Sequence, residues 1–239
     1  MWDNPRLLNA AAGALTALAL MVFAVAAMQL LLRSELFPLR ELTVRGSLAH
    51  TSHADIERAA HGRVNGNFFA VDLAQVRAAL EALPWVRRVE VRRVWPDRLE
   101  ATLEEHVALA RWAGGGLVNL QGERFAGASD ATLPQFAGPA GSEADVTRRY
   151  RRFIEILAPL ERLPERVALS SRYAWRLRLD DGLAIELGRD APQDPVEARL
   201  ARLVAAWPQT LARMPMKHEH VDLRYPNGFA LRVADAKGG

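Results

Sequence analysis

The chain has 239 residues, room for one large or two small domains, with about half of them hydrophobic and a quarter charged, the proportions of an ordinary folded protein. Cysteine is absent, which excludes disulfides, thiolate nucleophiles and Cys-ligated metals together. The net charge is +3 and the positive side chains are nearly all arginine, spread along the chain with no clustered basic stripe, so nucleic-acid binding is not expected.

The first predicted element is apolar. From Leu7 to Leu32 there are 26 residues without Asp, Glu, Lys or Arg, and only Asn9, Thr16 and Gln29 are markedly polar. A bilayer core needs roughly 20 helical residues, so the run is long enough to span it with some tilt. A cleaved secretory signal is the competing reading, since Ala24-Val25-Ala26 has the small-x-small form of a cleavage site. The apolar run far exceeds the roughly 7–15 residues of a signal core, and length therefore favours an anchor. Arg6 precedes the helix and Arg33 and Arg40 follow it, so the Lys/Arg bias alone does not set its orientation. A short tail ahead of a large folded part points to export of the latter.

After the linker at Phe37-Pro38-Leu39, residues 41–46 read as a strand closed by glycine. Ser52 with Asp55, and Asp72 with Gln75, have the form of two helix starts. Leu73, Val76, Leu80 and Leu83 recur at helical spacing until Pro84. Two strands follow, Val89 and Val91 alternating with charged residues, then Leu99, Ala101 and Leu103 after a Trp95-Pro96-Asp97 turn. This strand-helix-helix-strand-strand order packs two helices on one face of a three-stranded sheet.

The rest is richer in hairpins. Residues 117–119 and 124–125 flank a tight turn, and 133–141 read as loop. A helix over 145–157 carries Tyr150, Phe153, Ile154 and Leu157, and Pro159 ends it. Residues 175–179 and 183–187 form the clearest hairpin, around Asp180-Asp181-Gly182. A second helix, 196–207, shows Leu200, Leu203 and Val204 on one face. The chain closes on VDLRYPNGFALRV, residues 221–233, two alternating runs either side of Pro226-Asn227-Gly228. A three-residue loop there places Tyr225 and Phe229 on the same face across the turn. Both rings can be core residues or contacts for another chain, and the hydroxyl of Tyr225 favours a half-wet position.

Chemistry is sparse. His218-Glu219-His220 is the closest histidine group, but it lacks a nearby third ligand at the usual spacing, and exposed strand histidines are expected there. Glu104-Glu105 and Asp180-Asp181 read as edge and turn acids, and Gly114-Gly115-Gly116 lacks the lysine or helix cap of a phosphate loop. No catalytic residue, metal site or cofactor is expected.

The anchor followed by FPLRELTVRG and by NFFAVDLAQVRAALEALPWVRRVEVRRVWPDRLEATLEEHVALARW resembles the FtsQ/DivIB family of bacterial division proteins, whose first extracytoplasmic module is a POTRA domain. GLVNLQGERF, LPQFAGP, WRLRLDDGLAIELG and VDLRYPNGFALRV are similar to its β-domain. The resemblance implies an α+β fold: a cytoplasmic tail over 1–8, a transmembrane helix over 9–32 and a linker over 33–38. A POTRA-type β-α-α-β-β module over 39–107 and a mostly antiparallel β-domain with two packed helices over 108–234 then follow, with a tail over 235–239. It further implies a single-pass inner-membrane divisome scaffold, C-terminal part in the periplasm at the septum. In the family the partners are FtsB and FtsL, with other divisome components meeting the POTRA part. FtsB adds a strand to the last strand of the β-domain, which by position points to Arg224, Tyr225, Asn227, Gly228, Phe229 and Leu231. The short extension beyond Val233 carries no expected role. A POTRA-containing periplasmic chaperone or secretion component is the alternative, and it predicts several such repeats or a barrel of many strands, where one module and few strands are legible.

Overall fold

A computed structural model describes residues 5–33, 37–64, 67–213, 218–225 and 228–233. Helix α1 runs over Pro5–Arg33, and its stretch Asn9–Leu30 is long and apolar enough to cross a membrane. At a rise of about 1.5 Å per residue those 22 residues reach about 33 Å, close to the thickness of a hydrocarbon core. Thr16, polar and mid-helix, donates its hydroxyl to the Ala12 carbonyl at 2.8 Å, which satisfies it inside the helix itself. Beyond α1 the chain folds into compact units that divide between Glu105 and His106.

The first unit has strand β1 (Glu41–Arg45), helices α2 (His53–Ala60) and α3 (Leu73–Glu81), and strands β2 (Val86–Val94) and β3 (Arg98–Glu105). The sheet order is β1-β3-β2, with β3 central, parallel to β1 and antiparallel to β2. Both predicted caps are made: Ser52 Oγ accepts from the Asp55 amide at 3.2 Å, and Asp72 Oδ1 from Ala74 and Gln75 at 2.9 and 3.2 Å. Leu99, Ala101 and Leu103 of β3 face Ile56, Val76 and Leu80 of the helices, all nearly or fully buried. On the opposite face Glu100 is buried between Arg45 of β1, at 3.0 Å, and Arg92 of β2, at 2.6 Å.

Glu105 departs from its expected place as an edge acid. Its side chain is almost wholly covered and accepts the backbone amides of Ala49, His50 and Thr51 at 2.7–3.2 Å. Burial pushes its carboxyl up, but hydrogen bonds from Thr51 and from the amides of Ala49 and His50 outweigh it and hold the group below the usual carboxylate range. The His50 ring also stacks on Trp85, the residue before β2, with ring centroids 3.6 Å apart.

The second unit contains β4 (Ala108–Trp112), β5 (Leu117–Asn119), β6 (Arg124–Phe125), β7 (Gln135–Ala137), α4 (Glu143–Leu157), β8 (Pro164–Leu169), β9 (Ala174–Leu179), β10 (Ala184–Arg189), α5 (Val196–Ala206), β11 (His218–Asp222) and β12 (Ala230–Val233). The strands make one sheet in the order β12-β11-β10-β9-β8-β7-β4-β5-β6. Most neighbours are antiparallel, while β4 with β7, β7 with β8 and β10 with β11 are parallel. Tyr150, Phe153 and Leu157 of α4 and Leu200 and Leu203 of α5 pack on the sheet through Phe136, Leu177, Ile185, Leu187 and Val221. Residues 133–141, expected as loop, therefore contain a strand, because the fully buried Phe136 lies between β4 and β8.

Candidate partner interface at the closing strands

Helix α5 carries the chain from β10 to β11, which lies parallel beside it with Ile185 opposite Val221 and Glu186 opposite Asp222. The helix is fastened to β10 by Arg199. Its buried guanidinium donates to the Leu187 carbonyl at 2.5 Å, the Arg189 carbonyl at 3.0 Å and Asp194 at 2.7 Å. Arg202 also bonds Asp194, and hydrogen bonds from Arg202 and then Arg199 hold that carboxyl below its ordinary range.

β11 then pairs antiparallel with β12: Asp222 with Ala230, Val221 with Leu231, His220 with Arg232. β12 is the last strand of the sheet, and among the described residues nothing pairs with its outer side. An edge of this kind presents a row of backbone N–H and C=O groups to any chain that can lie alongside.

The ladder ends earlier than the alternation predicts. Asp222 and Ala230 are its last partners, and Leu223, Arg224, Tyr225, Gly228 and Phe229 stand outside the paired strands, while the turn expected at 226–228 falls mostly outside the described residues. Two interactions hold the chain as it leaves β11. The Leu223 amide donates to Glu186 of β10 at 2.8 Å, and Asp222 Oδ1 accepts the Arg224 amide at 3.0 Å, a local side-chain turn. The Arg224 guanidinium also folds onto both Asp222 oxygens, at 2.6–3.1 Å, and its far end lies 3.9 Å from Glu186. Alternation assigns Asp222 to a polar face, yet it is only 8% exposed beneath this cover. The hydrogen bond from Arg224 is the main reason its carboxyl sits below the ordinary range, and Asp222 in turn raises Arg224.

The expected contact residues that are described, Arg224 exposed among them, separate into two environments. Tyr225 is 55% exposed on the connection, and Gly228 is exposed as well. Phe229 and Leu231 are half-buried and pack against the core. Phe229 also borders a depression of about 280 Å³, together with Arg199, Arg202, Leu203, Ala206, Leu223 and Gly228. Asn227 lies outside the described residues, as does Pro226.

Gly188 completes the support. It stands at a bulge in β10 with φ of +76°, and a Cβ there would meet Arg224 Cγ at 2.8 Å and Arg199 Nη1 at 3.2 Å. The bare glycine lets both arginines cross the strand at one point. Neither Gly188 nor Arg199 was singled out by sequence reasoning, although an isolated glycine closing an alternating strand is the signal for such an approach.

His218 and His220 are half-buried on β11 rather than exposed, and His218 Nε2 bonds the Leu211 carbonyl at 3.0 Å. Among the described residues no three His, Asp or Glu side chains are placed to hold a metal ion.

An apolar helix long enough to span a bilayer, a β-α-α-β-β module and a mixed sheet with an open terminal edge define a two-module protein whose N-terminal helix is consistent with a membrane anchor. Residues 37–106 match the model of the FtsQ-type POTRA domain, and 110–224 that of the C-terminal part of cell division protein FtsQ/DivIB. Full-length relatives agree. The cell division protein FtsQ of Burkholderia pseudomallei is 47% identical over 237 residues, 98% of this chain and 95% of the relative. That of Nitrosospira multiformis is 40% identical over 97% and 99% of the two chains, and that of Bordetella pertussis 35% over 98% and 93%. The chain belongs to the FtsQ/DivIB family of cell division proteins.

Proposed function

We propose that the chain is a non-catalytic divisome scaffold that links early and late division proteins. α1 holds it in the inner membrane, both folded modules stand in the periplasm at the septum, and the closing strands receive FtsB, with FtsL as the further member of the complex. The POTRA module is the surface for other division proteins. The observation that carries this reading is the position of β12 at the end of the sheet, beside the exposed Tyr225. A strand added to β12 gains affinity from main-chain hydrogen bonds and specificity from alternate side chains. Arg224, Tyr225, Gly228, Phe229 and Leu231, with Asn227 between them in sequence, lie on or next to that edge, and an aromatic ring on such a rim is a natural binding anchor.

Co-purification of the full-length Tyr225→Glu variant with FtsB tests the contact. Recovery of FtsB is expected to fall well below the unmodified level while the variant accumulates normally in the membrane. Recovery at the unmodified level contradicts the assigned contact, and normal septation after depletion of the protein contradicts the cellular role.

A further inference from the structure

The first module displays aromatic rings that its own core does not cover. Phe69 is 51% exposed and Trp95 68%, and Phe37 lies between them with ring centroids 5.3 and 6.1 Å away. The cluster is held firmly. The Phe37 carbonyl accepts the Phe68 amide at 2.8 Å, Asn67 Oδ1 accepts the Phe69 amide at 2.8 Å, and Arg93 bonds the carbonyls of Phe68, Phe69 and Val71 at 2.7–3.3 Å. Exposed apolar surface maintained by so many polar bonds marks a contact surface.

The chain itself points to what covers it. Phe37 follows the end of α1 at Arg33 after three residues, so its reach from the helix is at most about 14 Å. The apolar span ends at Leu30, which places Arg33 within the headgroup layer of any bilayer that α1 crosses. The rings are thus tethered to the zone where tryptophan, with an apolar body and a polar N–H, is enriched.

We propose that Phe37, Phe69 and Trp95 dock on the lipid headgroup surface of the bilayer that α1 crosses, fixing how the first module stands on the membrane. The proposal rests on α1 being a membrane anchor. Because the chain has no cysteine, single substitutions accept a spin label at one site only. Full-length protein carrying Ala70→Cys beside Phe69, Ser47→Cys beyond the opposite end of β1, or Phe23→Cys in α1 is reconstituted into vesicles of phosphatidylethanolamine and phosphatidylglycerol. Collision with oxygen and with a water-soluble nickel chelate reads lipid or water at each label.

The expected result is lipid at Phe23, water at Ser47, and at Ala70 an oxygen-to-nickel ratio clearly above that of Ser47. Combining Ala70→Cys with Phe69→Asp and Trp95→Asp should return that ratio to the Ser47 value, with the Phe23 reading unchanged. Water at Ala70 with lipid at Phe23 overturns the docking alone and leaves the aromatic face to a protein partner. Water at Phe23 overturns the anchor and the docking with it.

Discussion

Arg224 turns back onto Asp222 two residues before it, its backbone amide and guanidinium together saturating one side of a nearly buried carboxylate beside the outermost strand. The pair sets where β11 stops and where the connection carrying Tyr225 begins. Asp222→Asn keeps the shape but removes the charge that holds Arg224. It is expected to loosen residues 223–225 and weaken recovery of FtsB without abolishing the fold. Amide exchange at Leu223 and Arg224 checks this, and unaltered exchange would show that the ion pair does not organise the connection.

The same pair gives a pH dependence. The folded Asp222 carboxyl titrates below its unfolded value of about 3.9. Its contribution to stability is therefore fully present above that pH and is lost as pH falls through the lower folded value. Asp194 behaves alike, being lowered by Arg202 and Arg199. Thermal melts of the full-length protein in detergent should thus be insensitive to these groups between about pH 5 and 8, and lose stability only in acid near and below about pH 4. A melt that weakens already between about pH 7 and 6 would point to histidine titration instead.

Gly188→Ala tests the crossing point of Arg199 and Arg224. A side chain at φ of +76° costs about 1–3 kcal/mol, and the new methyl also overlaps Arg224 Cγ. The variant should melt at lower temperature and bind FtsB less well than Arg152→Ala, which places the same residue at an exposed site of α4. An unchanged melt would mean that the bulge repacks freely.

Arg199→Met removes a buried donor from the carbonyls of Leu187 and Arg189 and from Asp194. Hydrogen bonds to a charged group contribute about 1.5–3 kcal/mol, so chemical denaturation should show a loss of at least that size. A loss below about 0.5 kcal/mol, the usual range for surface substitutions, would assign the fastening of α5 to apolar packing alone.

Much of this architecture was legible in the sequence. The caps at Ser52 and Asp72, the alternation of Leu99, Ala101 and Leu103, and the hairpin over β9 and β10 are local signals, and each survives in the fold. β7 escaped because three residues around a single Phe136 are too short to show a period. β8 escaped because a bulge between Pro164 and Arg166 breaks its alternation. At the candidate interface, the alternation that pairs Val221 with Leu231 across two strands was readable. The burial of Asp222 was not, since it depends on Arg224 and on β10, which lies more than thirty residues earlier in the chain. Glu105 was hidden for the same reason: its amide partners lie more than fifty residues away.

The central claim is that β12 receives a partner strand along its open edge. Disulfide crosslinking in cells tests it most directly, using single cysteines at Ala230, Leu231, Arg232 and Val233 of this otherwise cysteine-free chain against a series of cysteines in FtsB. Strand addition requires that each step of one residue along β12 move the crosslinked FtsB position by one, in a constant direction, and that result is expected. Crosslinks that recur every three to four residues of FtsB, or none at all along β12, would contradict it.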